Sequence, residues 1–125
     1  MRLSLIEGEF GVARLDADDP APAWSQTGSI TSLTRTAEEL SVVCAASAIP
    51  PGFRAERGWS CLRVVGPLDF SMTGVLSSIV GPLAAAKVSV FTLSTYDTDY
   101  LLVRSRSLQT AIECLRAAGH EVLRE

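Results

Sequence analysis

Ser89-Val-Phe-Thr-Leu-Ser-Thr-Tyr-Asp-Thr-Asp-Tyr-Leu-Leu-Val103 reads as strand, short polar turn, strand. Both flanks are rich in β-branched and aromatic residues, and the four residues between them are turn formers. The stretch echoes Ser29 to Val43 at an offset of sixty positions: Ser29, Leu33 and Val43 recur as Ser89, Leu93 and Val103. Ile30/Val90, Ser32/Thr92, Thr34/Ser94, Glu39/Asp99 and Val42/Leu102 are like for like, and Glu9-Phe10 pairs with Asp69-Phe70. A gap-free echo of this length suggests an internal duplication.

Outward from the hairpin, the second half of the chain falls into order. Cys61 to Val65 is a strand, ended by Gly66-Pro67-Leu68-Asp69. A helix is expected to start near Ser71 to Gly74, because Val75, Leu76, Ile79, Val80 and Leu83 recur at helical spacing. Pro82 falls inside it and predicts a kink or a helix in two pieces, since proline lacks an N–H and crowds the preceding turn. After the hairpin, Ser107 is placed to cap a second helix with Leu108, Ala111, Ile112 and Leu115 on one face, and Gly119 to end it. His120 to Leu123 is a last short strand. The order is βαββαβ, the ferredoxin-like sandwich of four antiparallel strands with two helices on one face, an α+β fold.

The first half begins alike, with strands at Leu3 to Ile6, Gly11 to Leu15, Ile30 to Arg35 and Leu40 to Cys44. Where the echo calls for a second helix it has Ser47-Ala-Ile-Pro50-Pro51-Gly52, which cannot form one. The expectation is two tandem units: a truncated one over 1–58, lacking its second helix, and a complete one over 59–125.

Composition narrows the function. At 125 residues, 47% hydrophobic and 20% charged, the chain suits a packed core. Its net charge is −3 and its arginines are scattered, against a nucleic-acid partner. No apolar run reaches the roughly 18 residues of a membrane span, and Glu7 and Glu9 come too early for a signal peptide, so a cytoplasmic protein without membrane contact is expected. Cys44, Cys61 and Cys114 read as buried free thiols.

No catalytic constellation appears, and a non-enzyme is expected. His120, the one histidine, follows Gly119 at a strand edge without an evident partner and reads as structural. Asp97-Thr98-Asp99 has an Asp-x-Asp form that can hold Mg²⁺ but reads as a tight turn, and the acidic turn at Asp16 to Asp19 lacks the glycine and glutamate of a calcium loop, so neither a metal nor a cofactor is expected. Binding chemistry is better supplied. The first turn of the helix after Gly74 has backbone N–H groups without partners, which attract a carboxylate. Asp97 and Asp99 at the strand ends accept from an ammonium. Together they describe a free amino acid. The plain alternative is that Ser71 or Thr73 caps the helix and the aspartates only make a turn.

Three stretches carry a family resemblance: Gly66-Pro-Leu-Asp-Phe-Ser-Met-Thr-Gly74, Pro82-Leu-Ala-Ala-Ala-Lys-Val-Ser-Val-Phe91 and Ser94-Thr-Tyr-Asp-Thr-Asp-Tyr-Leu-Leu-Val103. With Ser32 to Thr36, Glu38 to Cys44, Pro50 and Gly58-Trp59, the chain resembles the ACT domain branch related to the CASTOR arginine sensors. The resemblance implies two ACT-like units that bind a small ligand, an amino acid, where units or subunits meet. It places the ligand against Asp69, Phe70, Ser71, Met72, Thr73, Gly74 and Val75, against Ser94, Thr95, Asp97 and Asp99, and against the counterparts Ser32, Thr34 and Glu39. A homodimer acting on an unknown regulated protein would supply the output. The rival reading is an assembly or protein-interaction module without a ligand.

Overall fold

Seven strands and two α-helices account for most of the chain in a computed structural model, which describes residues 1–66, 68 and 73–124. In order they are β1 (Arg2–Leu15), β2 (Ser32–Arg35), β3 (Leu40–Ala45), β4 (Arg54–Val64), α1 (Val75–Ala85), β5 (Val90–Ser94), β6 (Asp99–Arg104), α2 (Leu108–Ala117) and β7 (Glu121–Arg124). Short 3-10 turns cover Ala23–Gln26, Ala46–Ala48 and Ser105–Ser107. Residues 46–48 take the place of the first half's missing second helix, just ahead of the Pro50-Pro51 pair that forbids it.

The chain divides into two compact units. One is Gly8–Trp59; the other joins Met1–Glu7 to the chain from Ser60 onward. The first seven residues differ from expectation: they fold with the second half rather than the first. The physical reason is β1, a single 14-residue strand where two were expected.

Within the second unit the order β4-α1-β5-β6-α2-β7 is the expected βαββαβ. Its strands lie in the order β7-β1-β4-β6-β5, so the N-terminal end of β1 stands between the last strand and the first. Arg2–Leu5 pair in parallel with Glu121–Arg124, and β5 pairs antiparallel with β6, Val90 opposite Val103 and Ser94 opposite Asp99. This unit therefore holds five strands side by side rather than four, one of them supplied from the start of the chain. Leu3, Leu62, Val64, Leu101, Val103 and Val122 form one core with Ile79 and Leu83 of α1 and Ala111, Ile112 and Leu115 of α2. Membership of a single cluster puts both helices on one face of the sheet. The period-2 spacing of Leu62/Val64 and Leu101/Val103 and the helical spacing of Ile79/Leu83 and Ala111/Ile112/Leu115 meet there.

Helix α1 is one helix through Pro82, where a kink or a helix in two pieces was expected. Proline at that position leaves the Ser78 carbonyl, four residues earlier, without its helical donor. His120 Nε2 lies 2.9 Å from that oxygen and supplies the missing N–H. Its other ring nitrogen, Nδ1, faces the Met1 nitrogen at 3.1 Å. This arrangement assigns the Nε2–H tautomer, and His120 is a structural residue with two partners. Ser107 does sit at the N-cap of α2, but its side chain makes no capping bond.

The first unit has its own smaller core of Ala13, Leu15, Leu40, Val42, Cys44 and Ile49, with Trp24 and Ala55 against it. There β3 pairs with β1 (Phe10 opposite Ala45) and with β2 (Ser32 opposite Val43), both antiparallel.

Candidate functional site

Gly74 is the N-cap of α1, held at φ 75°, ψ −2°, a left-handed conformation that glycine adopts without strain. Among the described residues no side chain caps this helix end. Ser78 N–H is the first to bond back into the helix, to the Gly74 carbonyl at 3.0 Å. The N–H groups of Val75, Leu76 and Ser77 precede that bond and have no intrahelical acceptor. Ser77 Oγ turns the other way and donates to the Gly74 carbonyl at 3.2 Å. Thr73 is exposed and is not the cap.

The second wall is the β5–β6 turn. Thr95 clasps it: its N–H and its hydroxyl both donate to the Thr98 carbonyl, at 2.8 and 3.1 Å, and its Oγ1 accepts from Thr98 N–H at 3.3 Å. The turn is tied to the segment after β4 by the Leu68 N–H, which donates to the Asp97 carbonyl at 2.6 Å. Thr98 Oγ1 donates to the Val64 carbonyl at 2.5 Å. Ser94 Oγ donates to Asp99 Oδ1 at 2.6 Å, so one aspartate is partly engaged within its own hairpin. Asp97 is exposed, and among the described residues nothing donates to its carboxylate.

These two walls line one cleft of about 350 Å³. Gly74, Val75, Ser94, Thr95, Asp97 and Asp99 of the expected residues line it. So do Leu68, Leu76, Ser77, Tyr96 and Thr98, which the sequence did not single out as ligand contacts. Asp69, Phe70, Ser71 and Met72 lie outside the described residues. Among the described lining residues there is no Lys or Arg, so the side-chain charge of the cleft is that of its two aspartates.

Ser32, Thr34 and Glu39 belong to the other compact unit, on β2 and at the residue before β3. The register of the two hairpins changes their correspondence. In the first hairpin Thr36 plays the part of Thr95: its N–H donates to the Glu39 carbonyl at 2.9 Å, and its Oγ1 accepts from Glu38 and Glu39 N–H, both at 3.1 Å. The turns therefore superpose Thr36 on Thr95 and Glu39 on Thr98, an offset of 59 rather than sixty. On this register the counterparts of Thr95 and Asp97 are Thr36 and Glu38.

Other chemistry is sparse. Among the described residues no group of three His, Cys, Asp or Glu is placed to hold a metal ion. No helix among them is long and apolar enough to cross a membrane. Burial pushes the Cys61 thiol up from 9.0 to about 12. Cys44 is also raised by burial, against a lowering pull from Arg57. Both thiols stay protonated and poorly nucleophilic near neutrality. Cys114, expected to be buried, is half-buried, with its Sγ 3.0 Å from the Pro82 carbonyl.

Comparison with known proteins bears on this geometry. A family model described as ACT domain matches residues 54–117. A second, described as an N-terminal domain, matches residues 8–52. The human cytosolic arginine sensor for mTORC1 subunit 1 is 39% identical over 59 residues, 46% of this chain and 18% of the sensor, so the chain spans under a fifth of that relative. The crystal structure of a protein from Agrobacterium tumefaciens is similar at a TM-score of 0.94 and 42% identity, covering 99% of this chain and 92% of that one. The ligand-free regulatory subunit of aspartate kinase from Thermus thermophilus has a TM-score of 0.65 at 11% identity, over 93% of this chain and 96% of that one, a likeness of fold alone.

Proposed function

The chain belongs to the ACT domain family, and on that premise we propose that it is a non-enzymatic regulatory protein that binds a free amino acid in the cleft between the start of α1 and the β5–β6 turn. The observation that carries this reading is the shared lining: a helix start that no described side chain caps and the exposed Asp97 border one cleft. The N–H groups of Val75, Leu76 and Ser77, which have no intrahelical acceptor, suit an α-carboxylate, with the helix dipole adding about 0.3–1 kcal/mol. Asp97 suits the α-ammonium. The relatives agree in kind, one being an arginine sensor and another a regulatory subunit of aspartate kinase by name. A cytoplasmic location follows from the same likeness.

The chain would act as a homodimer. Strand β5 stands at the end of its sheet, and its sequence Val-Phe-Thr-Leu-Ser has no charge or proline to protect the edge. That same edge favours the second reading, a module whose only task is to assemble with a partner protein.

A thermal-shift screen against the common amino acids separates the two. A ligand at 100 times its Kd stabilises the native state by about 2.7 kcal/mol. The binding reading expects one amino acid or one chemical class to raise Tm, and Asp97→Asn to abolish the rise. Flat curves for every amino acid with well-folded protein would leave the assembly reading.

A further inference from the structure

We propose that Thr98 is the positioning residue of this cleft: its buried hydroxyl pins the β5–β6 turn to the end of β4 and so fixes where Asp97 stands. The proposal rests on the amino-acid-binding reading above. Thr98 is 8% exposed, although the three residues before it are all exposed. Its side chain points inward to the Val64 carbonyl, the last of β4, at 2.5 Å.

The turn does not need that hydroxyl in order to form. The hairpin of the first unit makes the same threonine clasp, from Thr36, with Glu39 at the position of Thr98. The clasp closes the turn in both hairpins, and the Thr98 hydroxyl adds a tether from the turn to β4. Two neighbours complete the seat. Leu68 N–H holds the Asp97 carbonyl at 2.6 Å. Gly66 packs so closely that a Cβ there would stand 3.1 Å from the Asp97 carbonyl oxygen and 3.3 Å from Thr98 Cβ. Asp97 therefore has its backbone fixed on one side by Leu68 and on the other by the pinned Thr98, while the residue stays exposed in the lining of the cleft. A preformed seat lowers the ordering cost of binding.

Thr98→Val keeps the shape and removes the donor, whereas Thr98→Ser keeps the donor. Two readouts are taken for each: calorimetric Kd for the amino acid that most raises Tm in the unchanged protein, and hydrogen exchange of the Leu68 amide without ligand. Thr98→Val is expected to weaken binding by about tenfold or more and to speed Leu68 exchange while the α2 core amides keep their protection. Thr98→Ser is expected to restore both. An unchanged Kd, or unchanged Leu68 exchange, in Thr98→Val overturns the proposal. Should Thr98→Val fail to fold, Thr98→Ala compared with Thr98→Ser gives the same two readings. If no amino acid binds the unchanged protein, the binding reading falls, and Leu68 exchange alone decides whether Thr98 pins the turn.

Discussion

Cys61 shows how a single buried group is written into the stability of the whole chain. Cys61 is 1% exposed, and burial pushes its thiol up from 9.0 to about 12. The folded state therefore keeps a proton that the unfolded chain begins to lose near pH 9. A group raised in this way contributes stability that is complete below the unfolded value and is lost as pH climbs toward the folded one. Denaturant titrations between pH 8 and 11 should show stability falling with pH, and Cys61→Ala should flatten that slope whatever it does to absolute stability. An identical slope in the variant would show that other groups carry the pH dependence. At the same scale, the sequence named Asp97 and Asp99 as ammonium acceptors at the strand ends and did not single out Thr98 between them. Asp99 proved to be engaged by Ser94, and Thr98 is the residue whose hydroxyl reaches out of the hairpin. A hydroxyl that turns inward from a polar turn has no sequence signature. The Thr95-x-x-Thr98 spacing was visible, but it reads as any Thr-rich turn.

At the scale of the element, α1 and the paired hairpins carry the lesson. Helix α1 contains a proline in its third turn and remains one helix because His120, on the approach to β7, donates to the carbonyl that Pro82 leaves free. A neutral hydrogen bond of this type contributes about 0.5–1.5 kcal/mol net. His120→Ala should cost about that much, and the cost should shrink in a Pro82→Ala background, where the backbone supplies its own N–H. A double-mutant cycle by urea denaturation measures the coupling; strict additivity would separate the two residues. Sequence periodicity found this helix, because Val75, Ile79 and Leu83 repeat every four residues. It could not see the compensation, which joins residues 42 positions apart. The hairpins were legible as a duplicated motif, but identities among small β-formers fixed the offset at sixty. Hydrogen bonds of the turns set it at 59. One residue is enough to move the counterpart of Asp97 to Glu38, since a strand alternates its faces at every step.

For the whole molecule, the unexpected feature is that the second unit is not a continuous piece of chain. Leu3 is 0% exposed in its core, and Arg2–Leu5 separate β4 from β7. A strand that belongs to a sheet 60 residues away cannot be read from local pattern, and the echo between the two halves sets the expected boundary. A fragment beginning at residue 59 should therefore fail to fold, giving little chemical-shift dispersion in a proton–nitrogen correlation spectrum, whereas the full chain gives a dispersed one. A well-dispersed spectrum from that fragment would show that the N-terminal strand is dispensable. Within the same unit, the segment after β4, the start of α1 and the β5–β6 hairpin line the cleft, which is where the regulatory reading of this ACT protein stands. The measurement that tests it most directly is a crystal structure grown with the amino acid that most raises Tm. The account predicts the ligand in the cleft, its carboxylate on the N–H groups of Val75 to Ser77 and its ammonium on Asp97. An empty cleft, or the ligand bound elsewhere, would contradict it.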